Sequence, residues 1–84
     1  MEHNEELRKQ ILEVINNQLR ENNPPETKAT YTRLQKLGYD DFVTRQMIGQ
    51  CLVVEIFDIL KLGKPYNKER YINNLKALPK EPFD

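Results

Sequence analysis

The chain has 84 residues, 38% of them apolar and 31% charged, and its 13 basic side chains balance 13 acidic ones. That length fits one domain, 1–84, which buries roughly 60–65% of the surface of its unfolded form, and the apolar content excludes a disordered chain. Zero net charge excludes the single-sign field of a dedicated nucleic-acid binder.

The spacing of Leu7, Ile11, Val14, Ile15 and Leu19 predicts a helix over about 4–22, with Glu13, Asn17, Arg20 and Glu21 on its polar side. Asn4 is a candidate cap, and Glu5 and Glu6 suit the positive end of the helix dipole. The acidic opening Met1-Glu2-His3-Asn4 offers none of the apolar stretch of a signal peptide, so a cytoplasmic location is expected. Pro24 and Pro25 end this helix.

A second helix over about 25–37 follows, with Asn23 as cap, Pro24 in the first position and Glu26 completing a capping box. Thr30, Tyr31, Leu34 and Leu37 form its apolar face. Gly38 is the stop, and Tyr39 packs back on the last turn. This second helix and the one that follows, joined by Gly38-Tyr39-Asp40, mimic a helix-turn-helix. The mimicry fails at the start of the next helix, where Asp40, Asp41, Phe42 and Val43 stand in place of basic readers of base edges.

The third helix, about 41–62, runs from an Asp40 cap to a Gly63 stop. Ile48, Leu52, Ile56 and Ile59 form one face, and Met47, Cys51, Val53, Val54, Phe57 and Leu60 spread over much of the rest. A helix apolar on most sides is expected to be mostly buried, the hub of the bundle. Gly49 costs such a helix about 1 kcal/mol relative to alanine, which implies close approach of a neighbouring helix or of a partner chain. Asn67 caps a fourth helix, about 68–78, with Tyr71, Ile72, Leu75 and Leu78 as its stripe. Pro79 stops it, and 79–84 is expected to be a loosely ordered tail. The whole reads as an all-α, compact four-helix domain.

Chemistry-bearing residues are few. His3 is the lone histidine and Cys51 the lone cysteine, so no internal disulfide forms and no metal or nucleophilic site assembles from them. Cys51 reads as a buried filler. Glu55 stands out because its helical neighbours are Ile48, Cys51, Leu52, Ile59 and Leu62, with Asp58 the other charge on that side. A carboxylate there must be paired, protonated or at the core margin, and Arg70 and Tyr71 are the partners at hand. A general acid/base pair of Glu55 and Asp58 is the sharper alternative. Tyr31, Tyr39, Tyr66 and Tyr71 are expected at the rim of the core, where they close it or line a groove for a partner helix.

The second half carries a pattern: Gly38, then Ile48-Gly49, Glu55-Ile56-Phe57, Leu60, Pro65-Tyr66-Asn67, Arg70-Tyr71 and Leu75. It resembles a family of small bacterial all-helical domains catalogued with unknown function. Members of that family often carry two histidines four residues apart before the Ile-Gly, where this chain has Phe42 and Gln46. The resemblance implies helical architecture and structural weight on Gly49, Glu55, Arg70 and Tyr71. It supplies no activity, and without the histidines any chemistry they support is not expected here.

No catalytic, cofactor-binding or metal residue is assigned, and no cofactor is expected. The leading expectation is a non-enzymatic helical protein–protein interaction module, with a protein partner or as a homodimer, fed by the broad apolar third helix. The alternatives are a helix-turn-helix-like nucleic-acid-binding regulator and a small enzyme using Glu55 and Asp58.

Overall fold

The computed structural model describes residues 2–80, with the backbone alone at 2–4. Four helices follow one another: α1 (Glu2–Glu21), α2 (Pro25–Lys36), α3 (Asp41–Leu62) and α4 (Lys68–Ala77). The described residues contain no strand, and the chain is a compact four-helix, all-α domain. None of these helices is long and apolar enough to cross a membrane.

Asp40, Gly63 and Asn67 have the chemistry expected of them. Asp40 accepts the Val43 N–H at 2.8 Å and caps α3, and Asn67 accepts the Arg70 N–H at 3.0 Å and caps α4. Gly63 closes α3 in the left-handed region at φ 66°, where its lack of a Cβ matters. The start of α2 differs. Its cap is Pro24 without any side-chain hydrogen bond, and Pro25 takes the first helical position. The helix start is shifted one residue, to a Pro24 cap with no side chain to accept a hydrogen bond, and the Asn23 N–H that Glu26 would have served is committed elsewhere, so that box does not form. Instead Asn23 donates its N–H back to the Gln18 carbonyl at 3.1 Å, and Asn22 takes a left-handed φ of 53°.

The outer ends also shift. α1 begins at Glu2, so Asn4 lies inside its first turn rather than capping it; the side chains of His3 and Asn4 lie outside the described residues. α4 ends at Ala77, yet Leu78 is buried and Lys80 donates its N–H to the Ala77 carbonyl at 3.0 Å. The expected loose tail is thus a hydrogen-bonded turn as far as Lys80, and 81–84 lie outside the described residues.

Ile11, Ile15, Leu34, Ile48, Cys51, Leu52, Tyr71, Leu75 and Leu78 make the core. α3 touches α1, α2 and α4, so every helix leans on it. The expectation of a mostly buried α3 holds for one side only. Its inner side buries Thr44, Ile48, Gly49, Cys51, Leu52, Glu55 and Asp58, whereas Phe42, Val53, Phe57, Ile59, Leu60 and Leu62 are exposed. The reason is size: a 22-residue helix is about 33 Å long, and the three shorter helices cannot surround it. Val14 and Leu37, read as core-facing, are exposed as well.

Gly49 sits where α1 crosses α3. A Cβ there would lie 3.3 Å from Ile11 Cγ2 and 3.8 Å from Ile15 Cδ1, so the close neighbour is intramolecular. The absent side chain lets two helix backbones approach at the centre of the bundle.

Candidate functional site

The α3–α4 joint is built around Glu55, which is 2% exposed. Arg70 Nε donates to Glu55 Oε2 at 2.7 Å, and the Asn67 N–H donates to Oε1 at 2.9 Å. One turn along α3, Asp58 Oδ2 lies 2.7 Å from Arg70 Nη2. A single guanidinium fork therefore spans two buried carboxylates that share a helix face. The hydrogen bonds to Glu55 and then Asp58 hold the Arg70 pKa well above its ordinary value, so it stays charged at any accessible pH. Because Asn67 both caps α4 and donates to Glu55, the same carboxylate fixes where α4 begins.

Beside this joint lies a shallow depression of about 360 Å³, lined by Asp58, Lys64, Tyr66, Asn67, Lys68 and Arg70. Glu55 is not in its wall. Each Glu55 oxygen instead accepts from a protein donor, which leaves this carboxylate no facing substrate volume. Tyr66 stacks tilted against Tyr71 with ring centroids 6.3 Å apart, and burial, with the nearby Glu55 carboxylate, pushes its phenol pKa up.

Tyr71 is not at the rim: it is fully buried at the centre of the core. Its hydroxyl donates to Gln18 Oε1 at 2.7 Å and lies 3.3 Å from Thr27 Oγ1, while Thr27 also donates to Gln18 Oε1 at 2.7 Å. Burial raises the Tyr71 pKa, and it pushes the Cys51 thiol up to about 12. Cys51 is accordingly an inert thiol in the core, as its surroundings in the sequence suggested. Gln18 and Thr27 escaped sequence reading because each is a polar residue on a helix with no local signal of its partner. Arg33 escaped for the same reason: from α2 it donates to the Leu78 and Leu75 carbonyls at 2.8 and 3.0 Å, serving the orphan acceptors at the end of α4.

On the opposite side of the molecule, α1 and α3 diverge into a groove of about 480 Å³. Leu7, Ile11 and Gly49 line it together with the exposed Leu12, Phe42 and Val53. Asp41 and Arg45 stand at its α2 end. Arg45 Nε donates to Asp41 Oδ1 at 2.9 Å and its guanidinium stacks over the Tyr31 ring at 5.6 Å. Tyr31 also donates to Asp41 Oδ1, and Arg45 to Asn16 Oδ1. The hydrogen bond from Tyr31, then that from Arg45, lowers the Asp41 pKa, and the Tyr31 phenol is raised in return.

From this groove the outer face of α3 continues through Phe42, Gln46, Gln50, Val53, Phe57 and Leu60, a line about 27 Å long. Phe42 is 66% exposed, Phe57 50% and Leu60 74%. No exposed α3 residue between Phe42 and Leu60 is charged. Among the described residues, no three His, Cys, Asp or Glu side chains converge as metal ligands would. No family model, curated protein or solved structure matches the chain.

Proposed function

We propose that the chain is a non-enzymatic helical module that acts through protein–protein contact, and that the outer face of α3 is its contact surface. The observation that carries this reading is the uncharged line from Phe42 to Leu60, exposed on a domain that already has a core around Ile15, Leu34, Ile48 and Tyr71. Single exposed apolar residues are ordinary, but Val53, Phe57 and Leu60 in a row on one helix, continued through Gln50 and Gln46 to a groove lined by Leu12 and Phe42, have the form in which proteins receive a partner helix. The same face argues against a nucleic-acid regulator, because the exposed line itself carries no cation for a phosphate backbone and Arg45 in the adjoining groove is already paired with Asp41. The saturated hydrogen bonding of Glu55 argues against acid–base catalysis by that residue. The family likeness of the second half is likewise a proposal, and it adds no activity to this reading.

Matched affinity capture tests it, with the wild-type chain and Val53→Asp/Phe57→Asp as baits in the same extract. A protein held by the first and released by the second is the expected result. Equal capture by both baits, or none by either, would overturn the reading, provided circular dichroism shows the variant folded.

A further inference from the structure

The unpaired charge bordering the apolar row of α3 is positive on both flanks. At 100° per residue, Leu60, Val53, Phe57 and Lys61 follow one another around the helix within about 100°, so Lys61 edges the row on the side away from α1. On the α1 side, Arg8 stands in the wall of the groove that Val53 also lines. Both cations are exposed, and neither has a hydrogen bond or ion pair among the described residues. The acids of this surface are already paired: Asp41 in the groove with Arg45, and Asp58 beside Val53 and Phe57 with Arg70. Glu5, one turn before Arg8, is not part of the groove wall. Resting on the proposed contact role of this face, we infer that its partner is an amphipathic helix of another protein whose apolar stripe is flanked by carboxylates, one flank meeting Arg8 and the other Lys61.

The shape of the surface agrees with that occupant. The groove lies between two helices, and its most buried lining residues are Ile11 and Gly49. Gly49 has no side chain to fill the groove, so a bulky apolar side chain of the partner can settle against the backbone there. Past the groove, Val53, Phe57 and Leu60 prolong the contact along α3. The length from Phe42 to Leu60 matches a partner helix of about five turns, or roughly 18 residues. Such a helix lays its apolar stripe into the groove and keeps its charged flanks at the rims, where exposed ion pairs choose the partner more than they hold it. Two isolated cations on opposite sides of an apolar row suit carboxylates on the two flanks of a helix. A phosphate backbone takes a continuous basic stripe instead.

Two synthetic helical peptides of about 18 residues test the inference by fluorescence anisotropy on the purified chain. Both carry the same leucine stripe, one flanked by glutamates and the other by lysines. The glutamate peptide is expected to bind and the lysine peptide is not. Val53→Ser/Phe57→Ser, which adds no charge, should abolish binding of the glutamate peptide. Arg8→Glu/Lys61→Glu breaks no contact within the fold, so its effect reads the rims alone. That variant should weaken the glutamate peptide about tenfold and bind the lysine peptide in its place, because two exposed ion pairs become like-charge contacts. Added salt should narrow the difference between the peptides. Equal binding of both peptides by the wild type, or an unchanged preference in Arg8→Glu/Lys61→Glu, would overturn the inference. Binding to phosphatidylserine vesicles with neither peptide bound would also overturn it, and would make a lipid surface the occupant. If neither peptide binds but Val53→Asp/Phe57→Asp still releases the protein that the wild type captures, the acidic helix is removed and the contact role stands. No difference in capture removes both.

Discussion

At the scale of single residues, Arg70 and Gly49 illustrate opposite uses of space. Arg70 neutralises two buried carboxylates at once, so Arg70→Ala strands both and is expected to cost about 3 kcal/mol in urea unfolding. Arg70→Lys should recover only part of that, because an ammonium cannot fork between Glu55 and Asp58. Gly49→Leu forces side-chain atoms into the Ile11 and Ile15 contact and is expected to lower stability by about 2 kcal/mol, read by the same measurement. The suspicion attached to Glu55 was legible because a carboxylate amid apolar helical neighbours needs a partner, and Arg70 lay on the next helix. The Gln18–Thr27–Tyr71 network was not legible. Its members are 9 and 53 residues apart from Gln18, and nothing in either local pattern encodes which polar residue meets which across the core.

At the scale of helices, boundaries followed local chemistry wherever a side chain could reach a free backbone donor. Asp40 and Asn67 do so, and their helices begin where the sequence places them. Asn23 does not, because α2 starts one residue later, at a Pro24 cap, and the Asn23 N–H turns back to the Gln18 carbonyl. The two sites therefore respond differently to the same change. Asp40→Ala is expected to cost about 1 kcal/mol in thermal or urea unfolding, whereas Asn23→Ala loses no cap hydrogen bond and stays within a few tenths of the parent. The amphipathic stripes of α1, α2 and α4 were readable from spacing, apart from Val14 and Leu37 at their margins. The orientation of α3 was not. Apolar residues on nearly all sides of a helix predict burial only when enough chain exists to cover them, and here the remaining helices reach one side.

At the scale of the whole molecule, that uncovered side is the account's main consequence. The inner face of α3 carries the fold, with Ile48, Leu52 and Glu55 buried, and the outer face is left for contact. The fold also has a pH dependence set by its two buried acids. Tyr71 and Cys51 have pKa values raised by burial, so the folded state favours their neutral forms. Their stabilising contribution is complete below the unfolded values, about 9 for the thiol and 10 for the phenol. It is lost as pH rises toward the folded values, at up to about 1.4 kcal/mol per pH unit for each group. Urea midpoints are therefore expected to be insensitive to these groups up to about pH 9 and to fall beyond it. Cys51→Ala should remove the earlier part of that decline and leave the part due to Tyr71.

Sedimentation velocity of the wild type beside Val53→Asp/Phe57→Asp, read with capture by the same two baits, tests both faces of α3 together. The expected pair of results is a variant that sediments as compactly as the wild type and releases the protein that the wild type holds. A variant that sediments as an expanded chain would show that the outer face is needed for folding, and equal capture by both would show that it is not the contact surface.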